Sequence, residues 1–128
     1  MTMNKNIPIL IVDDNKATLR LLRGLLGQIG FRNIEEATDG ESAQKIMKEK
    51  LFGLIVSDWD MAPMSGLDLL KSVRADEKMK KTPFFMVATE IKQENILAAK
   101  EAGVTNFIVK PFSSETLKSK IAGVFGPM

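Results

Sequence analysis

Four charged residues in this chain come directly after apolar runs. The runs and the residues that follow them are PILIV (8–12) with Asp13 and Asp14, LIVS (54–57) with Asp58, and NFIV (106–109) with Lys110. Adjacent carboxylates repel each other, and near an apolar core they favour protonation unless a cation lies among them. Carboxylate, carbonyl and water oxygens suit Mg²⁺, which readily takes a phosphate oxygen as a further ligand. A carboxylate beside such a metal and a lysine ammonium can accept a phosphoryl group.

Each of these residues, taken alone, has a simpler interpretation. A single aspartate after a strand is usually a loop residue or a helix cap, and a single lysine is usually solvated. The chemical interpretation therefore requires that all four side chains meet at one place, which depends on the elements that carry them.

Strand-like apolar runs alternate with helical periodicity along the chain. The predicted strands are PILIV (8–12), NIEEA (33–37), LIVS (54–57), PFFMVA (83–88) and NFIV (106–109). The predicted helices run from Asn15 to about Gly30, over 39–49, from after MAPMSG (61–66) through Val73, over about 92–102, and from Ser113 or Ser114. Such alternation predicts an α/β fold, with a parallel sheet covered by helices on both faces. Ligands of such sheets bind beyond the carboxyl ends of the strands, where all four charged residues fall.

Some local details are also predicted. Asp39 is a candidate helix cap, and Gly24 and Gly27 weaken the first helix. The last helix is expected to bury its apolar stripe, which consists of Leu117, Ile121 and Val124.

Composition narrows the possible functions. The 128 residues suit one domain, residues 1–128, with no effector domain. The absence of Cys, His and Tyr leaves no thiol nucleophile and no imidazole base. The net charge is +2, and the basic run KMKK (78–81) fits a solvated loop better than a nucleic-acid site. No signal peptide and no apolar stretch of about 20 residues is found, so we expect a cytoplasmic protein that does not insert into membranes.

The sequence resembles the receiver domains of two-component signalling, most closely the single-domain chemotaxis regulators of the CheY type. The motifs that carry the resemblance are VDD (12–14), SDWDM (57–61), MSGLDLLKSVR (64–74), ENILAAKEAG (94–103) and FIVKPF (107–112). Together they span most of the chain. The resemblance implies a flavodoxin-like five-stranded sheet in the order 2-1-3-4-5.

The resemblance also implies the roles of the site residues. Asp58 would accept the phosphoryl group and Lys110 would contact it. Mg²⁺ would be bound by Asp14, Asp58 and the backbone carbonyl of Asp60, with Asp13 acting through water. The bond before Pro111 would be cis, which is accessible to X–Pro bonds.

The chain departs from the family pattern near this site. MAPMSG (61–66) stands where the family usually has MPxMDG, so Pro63 is shifted and Ser65 replaces an acid. Ala88 stands where the family has Thr or Ser, and Thr89 lies one position later. Phe107 stands at the switch position that is often Tyr. By the same resemblance, the expected partner surface consists of Ile91, Ile96, Lys100, Val104, Phe107 and Lys120.

These observations predict a stand-alone response regulator rather than an enzyme. Because the chain has no His, the phosphoryl group would come from a partner histidine kinase or phosphotransfer protein. The output would be binding to a protein such as a flagellar motor switch component, with chemotaxis as the leading pathway.

Two alternatives remain at this stage. Ala88 is the best support for a degenerate receiver that binds partners without phosphorylation. DWDMA (58–62) superficially matches the start of haloacid-dehalogenase-type phosphatases. That motif, however, expects Thr or Val where Ala62 stands and belongs at the end of the first strand.

Overall fold

The computed structural model describes residues 4–90 and 92–126, in which five strands alternate with five helices. The strands are β1 (Ile9–Val12), β2 (Ile34–Ala37), β3 (Leu54–Asp58), β4 (Phe84–Ala88) and β5 (Asn106–Val109). The helices are α1 (Lys16–Ile29), α2 (Gly40–Glu49), α3 (Gly66–Ala75), α4 (Gln93–Ala102) and α5 (Ser114–Phe125). All neighbouring strands are parallel, in the order β2-β1-β3-β4-β5. The predicted fold class and strand order are therefore confirmed.

Two apolar layers hold the helices against the sheet. Every residue of β1, β3 and β4 is buried, because helices cover both faces of these central strands. Alternate residues of each strand point to opposite faces, so Ile9 and Ile11 join the cluster beneath α1 and α5. Leu10 and Val12 join the cluster beneath α2 and α3. None of the described helices combines the length and apolar character needed to cross a membrane.

Side-chain caps fix where four of the helices begin. Asn15, Asp39, Ser65 and Ser113 each accept hydrogen bonds from backbone N–H groups in the first turn that follows. Ser65 and Asp68 form a reciprocal capping box at α3. These caps begin the helices just past the carboxyl ends of the strands, at the edge where the charged residues lie.

One expectation about the helices needs correction. Val124 is 36% exposed rather than buried, because the larger Phe125 packs against the α1–α5 cluster at that end of α5. Gly24 and Gly27, which are expected to weaken the first helix, lie within α1, and α1 is continuous over 14 residues. Burial of the apolar face of α1 outweighs the low helix propensity of glycine there.

Arg74, near the end of α3, ties three segments together. Its Nε donates to the Gly103 carbonyl at 2.9 Å. Its Nη1 donates to the carbonyls of Lys80 at 3.2 Å and Thr82 at 2.6 Å. Thr105, which follows α4, accepts from the Phe84 amide at 2.9 Å through its hydroxyl. The guanidinium therefore holds the α3–β4 and α4–β5 connections against the end of α3.

We expect Arg74→Met to lower the free energy of unfolding by about 2 kcal/mol. A charge-assisted hydrogen bond contributes roughly 1.5–3 kcal/mol. Water can reach these carbonyls in part and replace some of the lost hydrogen bonds, so the total loss stays near the value of one such bond. Arg74→Lys should recover less than half of the loss, since an ammonium cannot reproduce the planar fork of donors. Urea unfolding measures both variants. Equal unfolding midpoints for Arg74→Met and the parent would show that these bonds do not stabilise the fold.

Candidate metal and phosphoacceptor site

Strand register brings the charged residues to one edge of the sheet. Asp58 ends β3, while Asp13 follows β1 and Lys110 follows β5. Val12 pairs with Ser57 in the sheet. The residues that follow them along the chain, Asp13 and Asp58, therefore lie side by side. The backbone ladder continues past the strand ends, since the Lys110 amide donates to the Ala88 carbonyl at 2.8 Å.

The lysine bridges two of the carboxylates. Lys110 Nζ lies 3.1 Å from Asp13 Oδ2 and 3.1 Å from Asp58 Oδ1. The other oxygen of Asp13 accepts from the Asn15 amide at 2.9 Å. Asp13 and Asp58 are buried, whereas Asp14 is exposed. Both oxygens of Asp13 are therefore engaged, and Asp14 is the exposed carboxylate of the site.

The three carboxylates fit a divalent cation. One oxygen each from Asp13, Asp14 and Asp58 lies within 4.8 Å of the others. An all-oxygen donor set with an exposed member suits Mg²⁺, which keeps several of its waters. Asp60 lies in the loop after β3, and its side chain is exposed to solvent. The resemblance assigns its backbone carbonyl, rather than its side chain, to the metal.

The environment alters the protonation of the acceptor and the lysine. Burial raises the pKa of the Asp58 carboxyl, and the charge of Asp13 raises it further, while Lys110 acts in the opposite direction. Burial disfavours the charge of Lys110, but its hydrogen bonds to Asp13 and Asp58 prevail and raise its pKa. Lys110 therefore remains cationic at neutral pH and supports the ionised form of the acceptor.

We expect Asp58→Asn to raise the free energy of unfolding by about 1 kcal/mol at neutral pH without Mg²⁺. The substitution removes a buried negative charge that lies beside the charge of Asp13, and functional sites commonly gain stability when such repulsion is removed. Because the folded pKa of Asp58 is above its ordinary value, the parent loses stability as pH rises through that pKa. The advantage of the variant should be complete above the raised pKa and absent below the ordinary carboxyl range.

Urea unfolding across this pH range measures the effect of Asp58→Asn, with exposed Asp60→Asn as the matched control. Asp60→Asn should change stability much less, because that side chain is solvated. A gain for Asp58→Asn that is independent of pH would contradict the electrostatic explanation.

The two residues that end and follow β4 differ in their surroundings. Ala88 is buried at the end of the strand and offers no hydroxyl. Thr89 lies beyond the strand and is exposed, so strand alternation does not fix its direction. It lines a cavity of about 280 Å³ together with Lys110 and Phe112. Thr89 therefore lies beside the lysine of the site.

The aromatic residue on β5 contacts the residue after the acceptor. The rings of Phe107 and Trp59 stack with centroids 6.3 Å apart and planes inclined by 27°. Both are partly buried and pack against the α2–α3 cluster. The Trp59 amide donates to the Val87 carbonyl at 2.8 Å. Because Trp59 directly follows Asp58, the stacked pair connects the residue next to the acceptor with β5.

The predicted partner surface is only partly exposed. Ile96, Val104 and Phe107 are half-buried, and Lys100 is exposed. Lys120 Nζ donates to Asn106 Oδ1 at 3.3 Å, while Ile91 lies outside the described residues. Leu97, which the sequence analysis did not single out, is 56% exposed on α4. Its apolar character alone gave no sign that it would face outward.

Some features near the site were also missed. The backbone amide of Asn15 donates to Asp13 and so orients it. The sequence offered one sign of this turn, because asparagine is a common residue at the start of a helix and Asn15 caps α1. The bond before Pro111 is cis, as predicted, and the Ala62–Pro63 bond, for which no prediction was made, is also cis.

Comparison with known proteins identifies the family of the chain and agrees with the order of its strands. Residues 9–122 match the family described as the response regulator receiver domain. The chain belongs to this family. The alternative of a haloacid-dehalogenase-type phosphatase is therefore wrong, since the acceptor aspartate of such an enzyme would end the first strand rather than β3.

Individual relatives extend the comparison. The chain is 46% identical to chemotaxis protein CheY-3 of Vibrio cholerae over 123 residues, which is 96% of this chain and 95% of the relative. It is 44% identical to chemotaxis protein CheY of Pseudomonas aeruginosa over 117 residues, which is 91% of this chain and 94% of the relative. The solved structure of chemotaxis protein CheY4 of Vibrio cholerae is similar with a TM-score of 0.88 and 33% identity, covering 93% of this chain and 98% of that one.

Proposed function

We propose that this protein is a stand-alone response regulator that accepts a phosphoryl group on Asp58 in a Mg²⁺-dependent reaction. The observation that carries this proposal is the position of Lys110 Nζ, 3.1 Å from both Asp13 and Asp58. An ammonium there can contact a phosphoryl group on Asp58 while remaining paired with Asp13. Asp14 adds the third carboxylate oxygen of a cation site.

Each side chain has a separate task in the transfer. Asp58 Oδ2 attacks phosphorus, and the bond between phosphorus and the donor atom breaks. Asp13, Asp14 and Asp58 would hold Mg²⁺, which would supply neutralisation of the phosphoryl charge. Lys110 stabilises the negative charge of the other oxygens, and Asp13, fixed by the Asn15 amide, keeps that lysine in place. The product is an aspartyl phosphate, which water hydrolyses in a self-limited reaction rather than in enzymatic turnover of a small substrate.

The relatives suggest where this reaction serves. Both are chemotaxis proteins matched over at least 94% of their own length, which supports a stand-alone receiver in chemotaxis and a cytoplasmic location. A histidine kinase or phosphotransfer protein would be the donor, since the chain itself has no His. A flagellar motor switch component would be the target, bound through α4, β5 and α5.

Intact-mass measurement after incubation with a small phosphodonor tests the proposal. We expect a gain of one phosphoryl group with Mg²⁺ and none after chelation with EDTA, because the carboxylate cluster alone repels an anionic donor. Restoring Mg²⁺ should restore the gain. If the protein gains no phosphoryl group under either condition and still binds its partner, the degenerate receiver is the correct alternative.

A further inference from the structure

The backbone carbonyl of Asp58 is in unusually close contact with the first residue of α3. A Cβ built on Gly66 would overlap the Asp58 carbonyl oxygen and would lie 3.0 Å from its carbon and 2.8 Å from Met86 Sδ. Real Cβ atoms do not approach this closely, so any other residue at position 66 must displace the backbone of Asp58. The Ser57 hydroxyl donates to the same carbonyl oxygen at 3.1 Å.

The glycine also closes the loop that leads from the acceptor to α3. The Gly66 amide donates to the Trp59 carbonyl at 3.0 Å. The same carbonyl accepts from the Met61 amide at 3.2 Å, and the Ser65–Asp68 capping box fixes the helix start. Residues 59–65, which we call the acceptor loop, are thereby anchored at both ends. Asp60, whose backbone carbonyl is a proposed metal ligand, lies within this loop.

We infer that Gly66 is a positioning residue for the site, because its lack of a side chain sets the Asp58 backbone and the acceptor loop at the spacing that cation binding requires. This inference rests on the proposed function, since it concerns the same carboxylate and the same cation. The usual reasons for a glycine do not apply at position 66. Gly66 is not the cap of α3, which is Ser65, and its backbone is not in the left-handed conformation.

The first residue of α2 supplies a partial comparison, and a glycine within α1 supplies the control. Gly40, like Gly66, is the first residue of its helix and is buried. A Cβ on Gly40 would lie 2.5 Å from Met64 Sδ and 2.9 Å from its Cβ and Cγ. The thioether of Met64 can move aside, but its Cβ is fixed to the backbone of the acceptor loop, so a Cβ on Gly40 presses on that loop. At Gly66 the obstacle is a carbonyl that belongs to the acceptor itself. A Cβ on Gly24 in α1 would meet nothing within 4 Å.

The test compares Gly66→Ala, Gly40→Ala and Gly24→Ala by Mg²⁺ titration of Trp59 fluorescence and by phosphoryl incorporation at saturating Mg²⁺. We expect Gly66→Ala to raise the Kd for Mg²⁺ roughly tenfold or more, the size typical when the supports of metal ligands are lost. Incorporation should fall as well. Gly40→Ala presses on the acceptor loop through Met64 but not on the Asp58 carbonyl, so it should raise the Kd less than Gly66→Ala does. Gly24→Ala, which meets nothing within 4 Å, is the control and should match the parent.

Thermal unfolding of the same variants separates positioning from folding. The titration is read at a temperature where each variant is folded, so a lowered melting temperature alone does not change the Kd. An unchanged Kd for Gly66→Ala, or an equal rise for Gly24→Ala, overturns the inference. Recovery of the parent Kd in Gly66→Ala/Met86→Ala also overturns it, because the crowded group would then be Met86. If the parent takes up no phosphoryl group, the proposed function fails, while the Mg²⁺ comparison still decides the role of Gly66.

Discussion

Asp58→Asn is expected to lose phosphoryl incorporation completely under conditions in which the parent gains one phosphoryl group. The substitution keeps the size of the side chain but replaces a carboxylate nucleophile with an amide. Asp13, which pairs with the same lysine, cannot substitute, because one of its oxygens accepts from the Asn15 amide and the other is held by Lys110. Intact mass after treatment with a small phosphodonor and Mg²⁺ measures the loss.

Asp60→Asn is the matched control for this variant. It removes an acid two residues away but keeps the backbone carbonyl proposed as a metal ligand, so the phosphoryl gain should survive. Both proteins should be compared by urea unfolding, so that a folding defect is not taken for a chemical one. If Asp58→Asn gains one phosphoryl group at the rate of the parent, then the acceptor lies elsewhere and the proposed chemistry is incorrect.

Local patterns were sufficient to predict the elements that carry the site. The apolar run 8–12 and its counterparts at 54–57 and 106–109 each precede a charged residue. Parallel strands place their carboxyl ends at one edge, so the meeting of these residues followed once the strands were recognised. The order of the strands came from the resemblance, because alternation of strands and helices alone is compatible with more than one order.

Contacts between distant segments could not be predicted in the same way. The close approach of Gly66 to the Asp58 carbonyl depends on where α3 begins relative to β3. The stacking of Trp59 on Phe107 joins the acceptor loop to β5. The bonds of Arg74 reach connections on both sides of β4. Periodicity reports which face of an element is apolar, but it contains no distances between elements.

Ala88→Thr is expected to strengthen the coupling between phosphorylation and partner binding. A hydroxyl at the end of β4 can hydrogen-bond a phosphoryl oxygen on Asp58, and such a charge-assisted bond contributes about 1.5–3 kcal/mol. That energy corresponds to a roughly tenfold or greater increase in the ratio of partner affinities between phosphorylated and unphosphorylated protein. In the unphosphorylated state the larger side chain also leaves less space for Phe107 than Ala88 does. Incorporation should survive, since Asp58, Lys110 and the metal carboxylates are unchanged.

Thr89→Ala separates this explanation from its main competitor. Thr89 lies past the end of β4 and lines the same cavity as Lys110, so its hydroxyl is the other candidate partner of the phosphoryl group. Binding of a peptide from the proposed motor switch target, measured with and without phosphorylation, gives the affinity ratio for the parent and both variants. We expect Thr89→Ala to keep the parent ratio, because the side chain of Thr89 is exposed rather than held toward Asp58. If Thr89→Ala makes the partner affinities of the phosphorylated and unphosphorylated proteins equal and Ala88→Thr leaves their ratio unchanged, then Thr89 supplies the hydroxyl that binds the phosphoryl group. That result would contradict the role given to position 88.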